Sequence, residues 1–248
     1  MRAPVPTATA PTIPLPGLRA LWRTFTRDLF AYPSTATLFN QYADAIPSLD
    51  RRGAAARRRR NLRAYLASFT APPRLLLVGE AVGYRGGRFT GIPLTSERLL
   101  LDQQAFPYAA QPTSRGEPYA EPTASILWSL LGPYRSQVIA WNSVPLHPHV
   151  PGDPLTNRAP RVPERRAFLF LLQAVYSRVG VEHAVALGNH AAAALTELGI
   201  PHTKVRHPAN GGATAFRRQM GALLREFAMV PHKEPSPAAR GQGEGSGG

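Results

Sequence analysis

The chain has no cysteine among its 248 residues. This absence excludes disulfides, thiolate nucleophiles, zinc ribbons and iron–sulfur clusters held by thiolates. Apolar runs of the roughly 20 residues that a membrane-spanning helix needs are also missing. Prolines interrupt the N-terminal stretch MRAPVPTATAPTIPLPG, which argues against a secretory signal. We therefore expect a cytoplasmic protein with no membrane partner.

Acidic residues and lysine are both scarce. The chain has 15 acidic and 29 basic residues, which gives a net charge of +14, and only Lys204 and Lys233 are lysines. A coding bias towards alanine, proline and arginine explains the preference for arginine, but it does not explain the shortage of acids. Such a charge attracts polyanions, and the arginine fork binds phosphate well. We expect a nucleic-acid partner and a protein associated with the nucleoid.

Composition divides the chain into four regions. Residues 1–16 are proline-rich and predicted to be disordered, and residues 231–248 form a low-complexity tail that is also predicted to be disordered. Residues 17–70 have apolar side chains at helical spacing and contain the densest arginine run, so they predict a basic helical extension packed on the core. That run is either a solvated helix face or a phosphate-binding surface. Residues 71–230 form the main domain.

Short apolar runs alternate with amphipathic segments in the main domain. The runs are RLLLVGEA, SQVIAWN, EHAVALG and HTKVRH. This alternation predicts an α/β fold with three layers, in which helices flank a short, mainly parallel sheet of four strands. In such a fold, ligands bind at the carboxyl ends of the strands.

Polar residues follow each predicted strand. Glu80 precedes a glycine-rich loop, Asn142 ends the second strand, and His207 follows the fourth. Because the carboxyl ends of parallel strands meet at one edge of a sheet, we expect these residues to converge. Together with Phe89 they would form a pocket for a planar polar ring. His147 and His149 have the spacing of metal ligands, but no acid nearby completes a set, so we predict no metal site.

The motifs resemble those of the uracil-DNA glycosylase superfamily. GEAVGYRGGRFTG is similar to the first motif of the iron–sulfur branch, which begins GEAPG and continues to PFVG. NRAPRVPERRAFLFLLQAV, VALGNHAAAAL and VRHPANGG resemble later motifs in the same order, from Leu75 to Phe227. That branch holds its cluster with four cysteines, which this chain lacks, so we expect no cofactor.

The resemblance implies a monomeric, monofunctional enzyme that flips uracil out of DNA and hydrolyses its N-glycosidic bond, leaving an abasic site. Two alternatives remain open. One is a DNA-binding homologue with weak or no catalytic activity. The other is a glycosylase with broader specificity for deaminated or 5-substituted bases.

The resemblance also implies roles for individual residues. Phe89 aligns with the aromatic residue that stacks on the base, Asn142 with the amide that reads the pyrimidine edge, and His207 with the donor to O2. Other residues of the base pocket are Gly79, Ala81, Gly83 and Tyr84. Residues implied in DNA contacts are Arg85, Arg88, His190, Pro208, Ala209, Asn210 and Gly211.

The chain departs from the family pattern at two pocket positions. Ala81 stands where related enzymes have an aspartate or asparagine that orients water, so we predict that Glu80 takes this role. Glu97 is the reserve candidate, with a capping-box role as its alternative. Gly83 replaces a tyrosine that excludes a 5-methyl group, which predicts tolerance of 5-substituted uracils, although Tyr84 could restore the block.

Overall fold

The computed structural model describes residues 11–102 and 110–232. The strands are β1 (Leu38–Phe39), β2 (Leu75–Ala81), β3 (Val138–Val144), β4 (His147–Pro148), β5 (His183–Leu187) and β6 (His202–Val205). The α-helices are α1 (Pro16–Thr24), α2 (Ala54–Ala67), α3 (Gly87–Thr90), α4 (Glu97–Leu101), α5 (Pro122–Leu131), α6 (Val162–Val179), α7 (Gly188–Glu197) and α8 (Ala213–Glu226). A π-helical segment spans Phe25–Leu29, and a 3-10 turn spans Gly132–Tyr134.

The predicted parallel sheet of four strands is confirmed, with the strand order β3-β2-β5-β6. The chain steps from β2 to β3 in one direction and then returns past β2 to β5 and β6. The point of reversal therefore lies between β2 and β5, where α/β proteins of this kind bind ligands. Because such crossovers are right-handed, α5 lies on one face of the sheet and α6 and α7 lie on the other.

The strands consist of continuous apolar runs rather than alternating patterns. Leu75, Leu76, Leu77 and Val78 of β2 are completely buried, and every residue of β3 is buried. A sheet covered by helices on both faces requires apolar side chains on both sides of each strand. The two-residue strands β1 and β4 pair antiparallel in a separate small sheet.

The N-terminal extension packs against the edge strand β3 and the helix α6. The Phe25 ring stacks on Trp141, with ring centres 4.6 Å apart, and Ala140 N–H donates to the Tyr65 hydroxyl at 2.7 Å. Ile13 belongs to the hydrophobic core although it lies within the stretch predicted to be disordered. The remainder of that stretch, residues 1–10, and residues 233–248 of the predicted tail lie outside the described residues.

A buried arginine cluster, formed by Asp50, Arg58 and Arg88, joins α2 to α3. All three side chains are completely inaccessible to solvent, and both arginines form salt bridges to Asp50. The predicted DNA contact of Arg88 is therefore wrong, because this side chain is used inside the protein. Arg58 is likewise the member of the arginine run that does not reach the surface.

Among the described residues, no helix combines the length and apolar character needed to cross a membrane.

Candidate active site

A cavity of about 360 Å³ opens at the carboxyl edge of the sheet, beside the reversal point between β2 and β5. We call it the switch-point cavity. It brings together three of the predicted site residues, Glu80, His190 and His207. Its other lining residues are Leu187, Gly188, Asn189, Lys204, Val205, Arg206 and Gln219.

Glu80 supplies the only carboxylate among the described residues that line this cavity. The Ser143 hydroxyl donates to its backbone carbonyl at 2.6 Å, which fixes the end of β2 beside β3. Its Oε1 atom is buried and accepts no hydrogen bond within the described part of the chain. Burial raises the pKa of Glu80, and the nearby imidazole of His190 opposes this shift.

His207 presents a defined hydrogen-bond donor. The backbone N–H of Ala209 donates to its Nδ1 atom at 3.2 Å, so the neutral ring carries its proton on Nε2. Burial, followed by the charge of Arg206, lowers the pKa of His207 and favours that neutral form. The ring therefore offers an Nε2–H donor at the switch-point cavity.

Asn142 lies beside Gly79 in the pairing of β2 with β3. A Cβ atom on Gly79 would lie 2.5 Å from Asn142 Oδ1 and 2.8 Å from Leu94 Cδ2, so glycine is the residue that fits there. Asn142 Oδ1 is buried and accepts no hydrogen bond from any described residue. A ligand can therefore reach this amide only if its neighbours shift.

Leu94 is the neighbour that closes this space, and its backbone is strained. Its φ of 54° lies in the left-handed region, which leucine rarely adopts. The indole N–H of Trp128 donates to its carbonyl at 2.8 Å and holds the turn in place.

Phe89 lies on the short helix α3, not in an open loop, and its side chain is completely buried. Tyr119 stacks on it with ring centres 4.7 Å apart and planes 13° apart. Tyr84 meets Tyr119 edge-on at 6.2 Å. We call Phe89, Tyr119 and Tyr84 the aromatic stack. The predicted stacking of Phe89 on a base is not possible in this conformation, because Tyr119 covers one face of the ring and the Arg88 guanidinium lies 4.1 Å from its centre.

Glu97 holds the backbone of Tyr119 in place. Its completely buried carboxylate accepts hydrogen bonds from the backbone N–H groups of Thr113, Ser114 and Tyr119, at 2.6, 2.9 and 3.2 Å. Neither earlier interpretation of Glu97 holds: it does not line the switch-point cavity, and no side chain caps α4.

The space beside Gly83 is occupied by polar groups. A Cβ atom there would lie 3.3 Å from Glu121 Oε1 and 3.8 Å from the amide of Asn157, and one on Gly86 would overlap Glu121 Oε2. Asn157 Oδ1 also accepts from Tyr84 N–H at 2.9 Å. Burial raises the pKa of Glu121 to about 7. No sequence motif pointed to this acid, which enters the site from a distant loop.

The loop after His207 presents a narrow tip. Asn210 and Gly211 are exposed and both have left-handed backbones, with φ values of 52° and 74°. Pro208 is buried and Ala209 is partly buried, its N–H bonded to His207. The predicted DNA contact of Pro208 is therefore wrong in this conformation, whereas the tip remains accessible.

The other predicted residues lie around the first strand and its loop. Ala81 is half-buried at the end of β2, opposite Val144. Arg85 is exposed, and its Nε–H donates to the Tyr84 hydroxyl at 2.7 Å. His190 is exposed at the start of α7.

His147 and His149 have structural contacts. His147 is buried with its ring nitrogens 2.8 Å from Val82 O and 3.1 Å from Pro154 O, and burial lowers its pKa to about 4. His149 Nδ1 lies 2.8 Å from Val150 O. Within residues 11–102 and 110–232, no three histidine or acidic side chains come close enough together to hold a metal ion.

Comparison with known proteins identifies relatives of this chain. A family model described as the uracil DNA glycosylase superfamily matches residues 67–246. The crystal structure of wild-type SMUG2 from Pedobacter heparinus is similar with a TM-score of 0.59 and 12% sequence identity, over 85% of this chain and 99% of that chain. No curated protein matched. At this identity, the structural similarity shows a shared fold.

Proposed function

Because the chain belongs to the uracil DNA glycosylase superfamily, we propose that it removes uracil from DNA by hydrolysing the N-glycosidic bond, leaving an abasic site. The observation that carries this proposal is that Glu80 and His207 line one cavity at the carboxyl edge of the sheet. Breaking this bond makes the sugar cationic and the departing base anionic. The reaction therefore requires a carboxylate near the sugar and a hydrogen-bond donor near the base.

In the proposed reaction, the bonding electrons leave with the base as the N-glycosidic bond breaks. The His207 Nε2–H group donates to O2 of the base, where negative charge accumulates. The Glu80 carboxylate stabilises the cationic sugar and orients water, accepting its proton as the new C–O bond forms. Ala81 carries no polar atom that could orient water, so this role depends on Glu80.

We propose that the base enters between Asn142 and the aromatic stack. A base inside a duplex is inaccessible, so it must first be flipped out. No described residue donates a hydrogen bond to the amide oxygen of Asn142, which suits the N3–H of a pyrimidine. The Phe89 ring stacks on one face of Tyr119, and the other face of Tyr119 is the surface on which the base stacks. Entry requires Leu94 to move away from Gly79 and Asn142.

The net charge of +14 supports DNA as the macromolecular substrate. We propose that a single copy of the chain binds it. Arg85, Asn210 and Gly211 are exposed and suited to phosphate contacts or to filling the gap left by a flipped base. On α2, Arg60 is exposed as well, and Arg57, Arg59 and Arg63 are partly exposed.

Single-turnover cleavage of a uracil oligonucleotide tests the proposal, with abasic sites converted to strand breaks by alkali. We expect Glu80→Gln and His207→Ala each to lose about 100- to 1,000-fold in rate. His202→Gln, at the opposite end of the sheet, should keep the wild-type rate. Wild-type protein that releases no uracil would refute the function. Full activity in both site variants would refute the assigned roles.

A DNA-binding protein without catalytic activity is the second candidate. It is favoured by Ala81 and by the closed space around Asn142, which is only 1% exposed. Tight binding of uracil DNA with no base release by the wild type would establish it.

Broader specificity depends on the space beside Gly83. Because Glu121 and Asn157 line it, this space favours polar substituents at the 5-position over a methyl group. Rates of base release from oligonucleotides containing uracil, thymine, 5-hydroxymethyluracil, hypoxanthine or xanthine distinguish these specificities.

A further inference from the structure

The side chains of His190 and Glu80 face each other across the reversal point of the sheet, and their contact becomes an ion pair when the imidazole is protonated. His190 Nε2 lies 3.7 Å from Glu80 Oε1. Glu80 comes from β2, whereas His190 lies in the first turn of α7, which follows β5. The same Oε1 atom accepts no hydrogen bond from any described residue, so this imidazole is its nearest charged partner.

We propose that His190 is a positioning residue for Glu80: its imidazolium keeps the Glu80 carboxylate ionised and holds Oε1 at the switch-point cavity. This inference rests on the proposed function and assigns His190 a role other than the DNA contact predicted for it. A partly buried carboxylate needs such a partner, because loss of water favours its neutral form. A neutral Glu80 could neither stabilise a cationic sugar nor accept a proton from water.

Other charged groups around Glu80 do not replace His190. Lys204 and Arg206 line the same cavity, but Lys204 Nζ donates to Asn189 Oδ1 at 3.2 Å and Arg206 donates to the Asn210 carbonyl at 3.5 Å. The ring of His207 is held by Ala209 N–H in a form that suits the neutral state.

The N-terminus of α7 adds a favourable field. Glu80 and the first residues of this ten-residue helix line the same cavity, and helix N-termini favour negative charge. That field does not vary with pH, whereas an imidazole changes its charge between pH 5 and 8. His190 therefore makes the ionisation of Glu80 depend on pH in a way that can be measured.

Nuclear magnetic resonance titration of the free protein tests the coupling without relying on catalysis. The Glu80 side-chain carboxyl carbon is followed in wild type, His190→Gln and His190→Lys, with His202→Gln as a control. We expect the Glu80 pKa to rise by about half a unit to one unit in His190→Gln and to fall in His190→Lys. An unchanged Glu80 titration in both His190 variants would overturn the proposal, whether or not the protein excises uracil.

Single-turnover rates with saturating enzyme then show whether the coupling affects the chemistry. His190→Gln should lose about three- to tenfold near pH 5.5 and little at pH 8, where Glu80 is ionised without help. His190→Lys should restore the rate at low pH. If His190 instead contacts DNA, His190→Gln should bind DNA more weakly in fluorescence anisotropy. The pH at which its single-turnover rate declines on the acidic side should then stay as in the wild type. That result would return His190 to its original assignment.

Discussion

The buried arginine cluster and the switch-point cavity both hold charged side chains, but they satisfy them differently. In the cluster, Asp50 accepts hydrogen bonds from both arginines, and its Oδ2 also accepts from Ile46 N–H at 2.7 Å. In the cavity, Glu80 Oε1 has only the longer contact with His190 among the described residues. Each acid lies beside a basic side chain, yet within the described part of the chain only Asp50 has both oxygens hydrogen-bonded.

This difference separates charges that hold the fold from charges available to a ligand. Buried ionic groups persist where hydrogen bonds replace the lost water. An acid left short of partners at the edge of a sheet keeps its capacity for a substrate or for water. Substitutions of Asp50, Glu121 and Arg85 test this distinction, and a substitution of Tyr119 tests the neighbouring aromatic stack; they follow from the largest expected effect to the smallest.

Asp50→Asn should destabilise the protein by about 3–5 kcal/mol, because two buried guanidinium groups lose their counter-charge. Burial and the charge of Arg88 already lower the pKa of Arg58, to about 10, and Asp50 opposes this. Urea unfolding followed by circular dichroism measures the loss. Asp28→Asn, which removes a surface ion pair with Arg27, should cost far less, because solvent screens an exposed pair. Equal losses in the two variants would contradict the distinction.

Tyr119→Ala should slow uracil release by about 10- to 100-fold, because a stacked aromatic ring contributes about 1–3 kcal/mol to base binding. Tyr119→Phe keeps the ring and should stay within about threefold of wild type. Single-turnover rates across a range of enzyme concentrations separate binding from chemistry. A faster Tyr119→Ala variant would show that Tyr119 blocks the base instead of supporting it.

Glu121→Gln should stabilise the protein by roughly 1–2 kcal/mol above pH 7 and have almost no effect at pH 4.5. The pKa of Glu121 is raised in the folded state, so stability is lost as pH rises from the unfolded value of 4.5 through about 7. Thermal unfolding at pH 4.5, 6 and 8 measures the difference. Glu117→Gln, on the exposed part of the same loop, is the matched control. A uniform effect at every pH would exclude this explanation.

Arg85→Ala should weaken DNA binding by about two- to threefold and reduce the salt dependence by about one phosphate contact, without changing stability. Arg88→Ala, three residues along, should instead destabilise the fold, because its guanidinium pairs with Asp50 inside the protein. Fluorescence anisotropy at several salt concentrations, together with thermal unfolding, distinguishes the two. Similar behaviour of both variants would contradict the assignment of one arginine to the surface and the other to the core.

The sequence was sufficient to predict the fold because its signals are local and repeated. Each predicted strand is an apolar run that ends in a polar or glycine-containing turn, and the parallel geometry places those turns at one edge. Glu80 and His207 could therefore be predicted to converge, whereas Asn142 and Phe89, predicted to join them, do not line the same cavity.

Tertiary packing decided what the sequence could not show. Arg58 belongs to the arginine run in the sequence, yet it lies at helical spacing from Ala54, Leu62 and Tyr65, all of which are buried. That spacing was the available signal for a buried arginine. Nothing near Phe89 in the sequence indicates that Tyr119, thirty positions later, covers its ring.

The hydroxyl of Tyr65 has a practical consequence for anyone shortening this chain. A fragment starting near residue 70 would keep all four parallel strands but would remove the phenol that receives the Ala140 N–H. The outer edge of β3 would then carry unpaired backbone groups, which can form hydrogen bonds with a strand of another chain. Such a fragment should self-associate and precipitate, however complete its catalytic machinery.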